Sequence, residues 1–371
     1  MIISLPPILD EQRKFSYLLL SIIYYGEYFI YFRSHYYINY VTIETINTIL
    51  NNHHMTDAEL IALASAADEF SQLKVRDDEL DELDQLYQNQ CHLPVKVGAE
   101  NATGKVNILI QSYISRAQIN SFSLVSDMSY VNQNVIRLVR ALFEIVLKRN
   151  WATLSARLLC LAKMVEQRMW SACNPLWQFS QYIPMEILEK VDAKKLTIER
   201  IIDMDTKEIG LMIHNARMAK EVQVYASYIP LLTIESQVQP ITRTVLRIKL
   251  TVTAAFNWSD KIHGGTSQAF WIWIEDPDSD NIYHSEYFLI TKKQVKTHEP
   301  QTVIFTIPVV EPLASQYYIR TISDRWLGSD NVTIVSFQNL ILPERHIPHT
   351  GMSLILIILF SIITIHRITR S

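Results

Sequence analysis

The chain has 371 residues, 49% of them hydrophobic, which is enough for two or three domains with a substantial buried core. Its formal net charge is only −4, so whole-chain charge neither excludes nor favours a nucleic-acid partner. Three cysteines (Cys91, Cys160 and Cys173) are too few for a disulfide framework, which indicates a reducing compartment.

The first segment, residues 1–33, differs in composition from the middle of the chain and is rich in Tyr, Ile and Phe. Pro6, Pro7, Asp10 and Glu11 occupy positions where a signal peptide needs its basic and apolar regions. The uncharged stretch 15–26 is too short to cross a bilayer. We therefore predict a separate N-terminal segment that is neither a signal peptide nor a membrane span.

Residues 34–180 have a helical period and predict a helical bundle. Thr56-Asp57-Ala58-Glu59 is a capping box that opens a helix running toward Phe70. An acidic helix is predicted over 76–88, and a loop containing Pro and Gly follows it. Three longer helices come next, at 105–120, 126–149 and 152–171.

Residues 181–230 predict a short helix-loop-helix unit. Thr197 opens one helix with Glu199 in its first turn, and residues 207–226 can form a helical hairpin. Pro230 ends this unit, because proline cannot continue a helix.

Residues 231–350 change to a period of two. Apolar side chains alternate with polar ones from Leu246 to Val252, which indicates a strand with one buried face. Further strands are predicted, separated by turn signals, at 270–274, 282–289, 303–309, 317–323 and 332–337. Six or seven short strands at this spacing predict an antiparallel β-sandwich of the immunoglobulin or fibronectin type III kind. The predicted fold class is therefore α+β and multidomain.

The last segment, residues 351–371, is again unlike the middle. Residues 350–365 carry no charge, and His366, Arg367 and Arg370 follow them. Sixteen helical residues measure roughly 24 Å, against about 30 Å of hydrocarbon in a bilayer. Membrane contact through residues 350–365 is one reading, and an apolar tail foreign to the preceding domain is the other.

The motifs that mark catalysis are incomplete or missing. The run from Gly98 to Lys105 echoes a phosphate loop, but Val106 stands where a hydroxyl must reach the magnesium ion. Residues 78–81 and residues 81–84 each match the letters of a helicase acidic box, yet they fall on a predicted solvated helix face. His-Glu-x-x-His, Gly-x-Ser-x-Gly and Cys-x-x-Cys do not occur. We therefore predict no cofactor, no metal site and no enzymatic activity.

A polar stripe on the helix after Asp127 is the candidate binding site. Tyr130, Gln133, Arg137 and Arg140 recur at three- or four-residue steps, so they share one helix face. Residues 127–171 have a net charge of +4, whereas residues 55–92 have −8. A basic helix with an aromatic side chain can follow a phosphate backbone, which makes weak binding of single-stranded nucleic acid one hypothesis. The alternative is an ordinary solvated face with internal salt bridges.

Several motifs resemble the Sec-63 homology domain of the activating signal cointegrator 1 complex subunit 3 helicase family, in its first cassette. The matching residues are 34–38, 42–45, 75–79, 123–127, 140–145, 239–246, 273–277, 285–289, 323–327 and 341–346. The resemblance implies a helical bundle, a helix-loop-helix and an immunoglobulin-like sandwich. It also implies that the helix bearing Tyr130, Arg137 and Arg140 acts as a ratchet against a single strand drawn through the motor.

Partners and location follow from the same resemblance. It implies contact with helicase motor domains or with subunits of the activating signal cointegrator complex, in the nucleus or cytoplasm. Intact members of the family act in DNA repair, transcriptional coactivation and ribosome quality control. This sequence lacks the motor, the winged helix and the second cassette, so it resembles a fragment.

Two features of the sequence keep other readings open. Ala219 replaces a glycine that is common in the hairpin of relatives, and this weakens the expectation that the hairpin contacts nucleic acid. The apolar tail leaves a membrane-tethered or protein-interaction module possible, similar to the translocon Sec-63 domain. A non-functional truncated product is the third alternative.

Overall fold

The computed structural model describes residues 45, 48, 49, 51, 52, 54–309 and 315–337. The predicted segments 1–33 and 351–371 lie outside these residues, and so does the possible membrane contact at 350–365. The described helices are α1 Asp57–Ser65, α2 Leu80–Gln90, α3 Ala102–Ile114, α4 Phe122–Lys148, α5 Ala152–Gln167, α6 Met185–Ala193, α7 Ile198–Asp203, α8 Thr206–Met212, α9 Ala216–Ala226, α10 Asp260–His263 and α11 Lys292–Thr297. The strands are β1 Leu232–Thr242, β2 Val245–Ala254, β3 Ser267–Asp276, β4 Asn281–Thr291, β5 Gln301–Pro308, β6 Gln316–Ser323 and β7 Asn331–Ser336.

The first helix begins as predicted and ends earlier. The Glu59 carboxylate accepts the Thr56 N–H at 2.9 Å, and the Thr56 hydroxyl accepts the Glu59 N–H, so the capping box is confirmed. A helix running to Phe70 was wrong, because Ala67 is extended (ψ 145°) and separates α1 from a 3₁₀ turn at Asp68–Phe70. The acidic helix is divided in a similar way, into a 3₁₀ turn at Asp77–Glu79 and α2.

Two arginines with left-handed backbones mark the ends of long helices. Arg116 (φ 59°) follows α3, and Arg168 (φ 52°) ends α5, so both helices are shorter than predicted. The Arg116 guanidinium donates to the carbonyl oxygens of Arg168 at 2.7 Å and Trp177 at 3.1 Å. A cation at a helix C-terminus meets the negative end of the helix dipole. Arg116 thereby joins the bundle to the next helical unit.

The predicted helical hairpin consists of α8 and α9. The turn between them includes His214 (φ 52°), and Asn215 caps α9 by accepting the N–H groups of Arg217 and Met218. Ala219 lies inside α9 and is fully buried, so this position does not require the turn that glycine would allow. A side-chain carbon at Gly210 would lie 3.1 Å from the Ala216 Cα and 3.5 Å from the Ala219 methyl group, so α8 and α9 pack closely at the glycine and Ala219 fits beside it. Alanine at 219 is therefore compatible with this hairpin.

The strands form two antiparallel sheets, which confirms the predicted sandwich. One sheet has the order β1-β2-β5 and the other β4-β3-β6-β7. The fourth strand pairs with the third, whereas in constant-type immunoglobulin domains it joins the first sheet. Strand β1 and the short helices α10 and α11 were not individually predicted.

Strand β3 belongs to two hydrophobic cores at once. Phe270, Ile272 and Ile274 pack inside the sandwich, whereas Trp271 and Trp273 pack into the core of the bundle. Successive side chains of a strand point to opposite faces, so a continuous apolar run fits a strand covered on both sides. The inner domain boundaries at 180 and 230 stay predictions, and the two cores meet through this strand.

All three cysteines lie among the described residues. Cys91, Cys160 and Cys173 are all free and partly buried. Burial raises the pKa of each thiol, for Cys91 to about 12. Among the described helices, none combines the length and apolar character needed to span a bilayer.

Candidate nucleic-acid interface

Helix α4 carries the predicted stripe and is the longest helix described. Its 27 residues extend over about 40 Å. At its start, the Glu82 carboxylate of α2 accepts the backbone N–H of Asn120 at 2.6 Å and of Ser121 at 3.1 Å. A negative charge at this end suits the helix dipole. Helix α2 therefore fixes where α4 begins.

The first three stripe residues lie at the protein surface. Tyr130 is 46% exposed; its hydroxyl donates to the Glu69 carbonyl at 2.9 Å, and its ring meets Phe70 edge-on. Gln133 is exposed, and Arg137 is partly buried. The Arg137 Nε donates to the Gln133 carbonyl at 3.1 Å, so its guanidinium stays close to the helix. The three side chains form one short accessible row.

Arg140, the fourth stripe residue, lies in a different environment. Its side chain is 8% exposed, and its guanidinium contacts two carboxylates. Two nitrogens donate to Glu166 at 2.9 Å each, and a third contact, at 3.0 Å, reaches Asp324. Arg140 also donates to the Asp324 carbonyl at 2.7 Å. It thus connects α4 and α5 to the sandwich, and its donors are directed into the protein.

Asp324 belongs to the loop between β6 and β7, residues 324–330, called here the β6–β7 loop. The same carboxylate accepts the Trp271 indole N–H at 2.9 Å, and Trp271 packs edge-on against Phe143 of α4 at 5.3 Å. Lys163 of α5 is fully buried and donates to the Trp326 carbonyl at 3.2 Å and to Asp330 at 3.0 Å. Two buried cations of the bundle therefore hold this one loop.

The β6–β7 loop also reaches the helix-loop-helix unit. Trp326 packs in the core of that unit, and its indole N–H donates to Gln268 at 3.1 Å. Gly328 has φ +71° and lies so close to Pro175 that a side-chain carbon would meet the proline ring at 2.1 Å. The sequence carries a turn signal at residues 328–330, and its local pattern does not indicate the roles of Asp324, Lys163 and Glu166. Trp326, a large aromatic residue between two predicted strands, is the signal in the sequence that this loop packs against another part of the protein.

A second buried ion network lies under the first half of α4. The Lys105 ammonium is fully buried and donates to Glu79 at 2.6 Å and to Asp127 of α4 at 2.7 Å. Ser123 donates to the other oxygen of Glu79 at 2.6 Å, and Arg76 also pairs with Glu79. Burial opposes ionisation of Glu79, but hydrogen bonds from Lys105, Ser123 and Arg76 prevail and lower its pKa to about 2.

This network explains two motifs that resembled parts of a motor. Lys105 ends the run that echoes a phosphate loop, and Glu79 lies in the run that echoes an acidic box. Their side chains bind each other. The expectation that residues 78–81 all lie on a solvated face was wrong for Glu79, which is fully buried. Its pairing with Lys105 is structural.

The described residues contain no cluster of three or more His, Cys, Asp or Glu side chains suited to a metal ion. Around the accessible row the charges are mixed. The Tyr130 hydroxyl binds the backbone carbonyl of Glu69, which is next to Asp68 in the chain. Burial raises the pKa of the Glu69 carboxyl. Arg137 supplies positive charge one to two turns farther along α4. Binding of an anionic strand there would therefore depend strongly on Arg137 and on salt.

Known proteins align with this chain over most of its length. A model of the Sec63 Brl domain matches residues 32–336. The chain is 52% identical over 319 residues to activating signal cointegrator 1 complex subunit 3 of Gallus gallus, and 51% identical to the Homo sapiens protein of that name. It is 41% identical to DExH-box ATP-dependent RNA helicase DExH14 of Arabidopsis thaliana. These alignments cover 86% of the chain but only 14 or 15% of each relative. The chain belongs to the Sec63 Brl domain family.

Proposed function

We propose that this chain is a non-catalytic accessory module of an ATP-dependent nucleic-acid helicase. One observation carries the proposal: the chain aligns over 319 residues with a segment of much longer proteins, one of which is named an ATP-dependent RNA helicase. In this proposal the power for strand movement comes from motor domains outside the aligned segment. The module supplies a wall for the single strand and a surface for protein docking.

The accessible row on α4 is the proposed channel wall. The Arg137 guanidinium would contact a phosphate, the Tyr130 ring would stack on a base, and Gln133 would donate to either. None of these contacts reads a base edge in a fixed geometry, so binding would be independent of sequence. Arg140 enters the proposal as a brace for the helix, because its donors already bind Asp324 and Glu166.

A fluorescence titration with labelled single-stranded oligonucleotides at low salt tests the channel wall. Arg137→Ala should weaken binding several-fold and lower the dependence of affinity on salt by about one phosphate contact. Tyr130→Ala should weaken binding to all sequences alike, because stacking tolerates every base. Arg200→Ala is the matched control, since Arg200 is an exposed arginine on α7. Equal affinities for the wild type, Arg137→Ala and Tyr130→Ala would remove the channel role.

The other parts of the proposal concern partners and location. Helicase motor domains and subunits of the activating signal cointegrator complex are the proposed protein partners, in the nucleus or cytoplasm. The isolated chain should not hydrolyse ATP, and turnover by purified protein would overturn the proposal. Carbonate extraction of cells tests membrane tethering through residues 350–365. Recovery in the membrane pellet would favour a tethered module.

A further inference from the structure

The start of α4 exposes an apolar surface that the channel wall does not use. Phe122, the first residue of the helix, is 87% exposed, the highest value among the large hydrophobic side chains of the described residues. Val125, at 40% exposure, lies one turn farther along the same helix. We call these two residues the Phe122 patch. An aromatic side chain left this far in water gains free energy when a partner covers it.

Carboxylates of the α2 region bind the residues on both sides of Phe122. The backbone N–H groups of Asn120 and Ser121 bind Glu82, and the Ser123 hydroxyl binds Glu79. The residues before and after Phe122 are therefore both bound to the α2 region, whereas the Phe122 side chain is exposed. That region exposes further carboxylates, called here the acidic rim, at Asp77, Asp78, Asp81 and Asp84. Within the described structure, none of these four forms a salt bridge.

The helix dipole explains only part of this arrangement. Asp77, Asp78 and Asp81 lie at the start of α2 or of the turn before it, where negative charge stabilises a helix. Asp84 lies beyond that first turn. Phe122, at the first position of α4, is 87% exposed, so burial within the described structure covers little of its ring. The pairing of apolar patch and acidic rim therefore calls for a partner.

We propose that the Phe122 patch and the acidic rim form a docking site for a segment of a partner protein that presents a large apolar side chain between lysines or arginines. The charges select this occupant, since phosphate groups of nucleic acid and anionic lipid headgroups would be repelled by the rim. The inference rests on the proposed function, to whose docking surface it gives a place and a chemistry. Phe122 is about 22 Å along α4 from Arg137, so the docking site and the channel wall are separate.

The test uses the whole chain and two labelled amphipathic peptides of equal length, one built from leucine and lysine and the other from leucine and glutamate. Fluorescence anisotropy should detect the lysine peptide and not the glutamate peptide. Phe122→Ala should weaken binding of the lysine peptide by about tenfold, the loss expected for burying one aromatic ring. Asp78→Asn with Asp81→Asn should weaken it several-fold and reduce its salt dependence. Circular dichroism should stay unchanged, because all three side chains are exposed.

Ile334→Ala on β7 is the matched control, because Ile334 is 57% exposed and lies on the sandwich. It should bind the lysine peptide like the wild type. Phe122→Ala should retain single-strand affinity, and Arg137→Ala should retain peptide affinity, so the docking site and the channel wall can fail independently. Equal peptide affinities for Phe122→Ala and the wild type, or equal binding of both peptides, would overturn the docking site.

Discussion

The two halves of α4 carry one polar stripe in two environments. Tyr130, Gln133 and Arg137, in residues 122–137, lie at the surface, whereas Arg140, in residues 138–148, is buried. The helical period is the same throughout, and the difference at Arg140 comes from Glu166 of α5 and Asp324 of the β6–β7 loop, which bind its guanidinium. A polar stripe thus identifies a shared helix face, and the neighbouring elements decide whether water reaches it.

Each half of α4 also depends on a different buried cation, Lys105 of α3 for the first half and Arg140 of α4 itself for the second. Lys105 beneath the first half and its partner Glu79 are both completely buried. Arg140 in the second half is 8% exposed, and its partners Asp324 and Glu166 are 12% and 24% exposed. Removing one member of a buried pair leaves an uncompensated charge, and the cost grows as water is excluded. The comparison therefore predicts a larger effect at Lys105 than at Arg140.

Lys105→Met should produce the largest loss of stability. It removes the buried ammonium and leaves Arg76 as the described cation partner of Glu79 and Asp127, and we expect the free energy of unfolding to fall by about 4 kcal/mol. Urea unfolding followed by circular dichroism measures this loss. The double variant with Glu79→Gln should recover part of it, because the buried charge is then removed. A loss below about 1 kcal/mol would mean that the first half does not depend on this network.

Arg140→Ala should follow, with a loss of about 3 kcal/mol, because it leaves Asp324 and Glu166 facing each other near the sandwich. The same urea unfolding measures it, and limited proteolysis should cleave the β6–β7 loop faster. Arg137→Ala is the matched control three residues away on the same stripe. It should change stability by less than about 0.5 kcal/mol, because Arg137 is only partly buried and donates to Gln133 and Asn134 of its own helix. Similar losses for both variants would contradict the division of the stripe.

Acid should produce a smaller effect that is specific to the first half. The pKa of Glu79 is lowered from 4.5 to about 2 in the folded protein, so its ionisation stabilises the fold fully above pH 4.5. That contribution should decline progressively as the pH falls from 4.5 toward 2, because the unfolded chain binds the proton first. Urea unfolding at pH 6 and pH 3.5 measures the decline. Glu79→Gln should lose less stability over this interval than the wild type, and an equal loss would assign the acid sensitivity to other carboxylates.

Local signals in the sequence predicted much of the fold. The capping box at Thr56, the helix start at Thr197 and the alternation from Leu246 to Val252 all depend on residues close together in the chain. Helix ends were less predictable, since the left-handed backbones of Arg116 and Arg168 carry no glycine signal. Strand β1 was missed individually, because its second half alternates among partly exposed residues.

The candidate site was only partly predictable, for a related reason. Periodicity placed Tyr130, Gln133, Arg137 and Arg140 on one helix face, which depends on local geometry alone. One partner of Arg140, Asp324, lies 184 residues away along the chain, and nothing in the local pattern indicates that contact. The exposure of Phe122 was also not predictable, because the sequence pattern of an apolar residue at a helix start is the same for a core position.

By itself, the sequence determined where helices and strands form and which side chains share a face, because those properties follow from backbone geometry over a few residues. It also carried the family relationship. Only the tertiary structure decided that Lys105 would bind Glu79 and that Arg140 would hold the β6–β7 loop. Long-range packing brings these charges together, and the exclusion of water from their contacts makes the pairing strong.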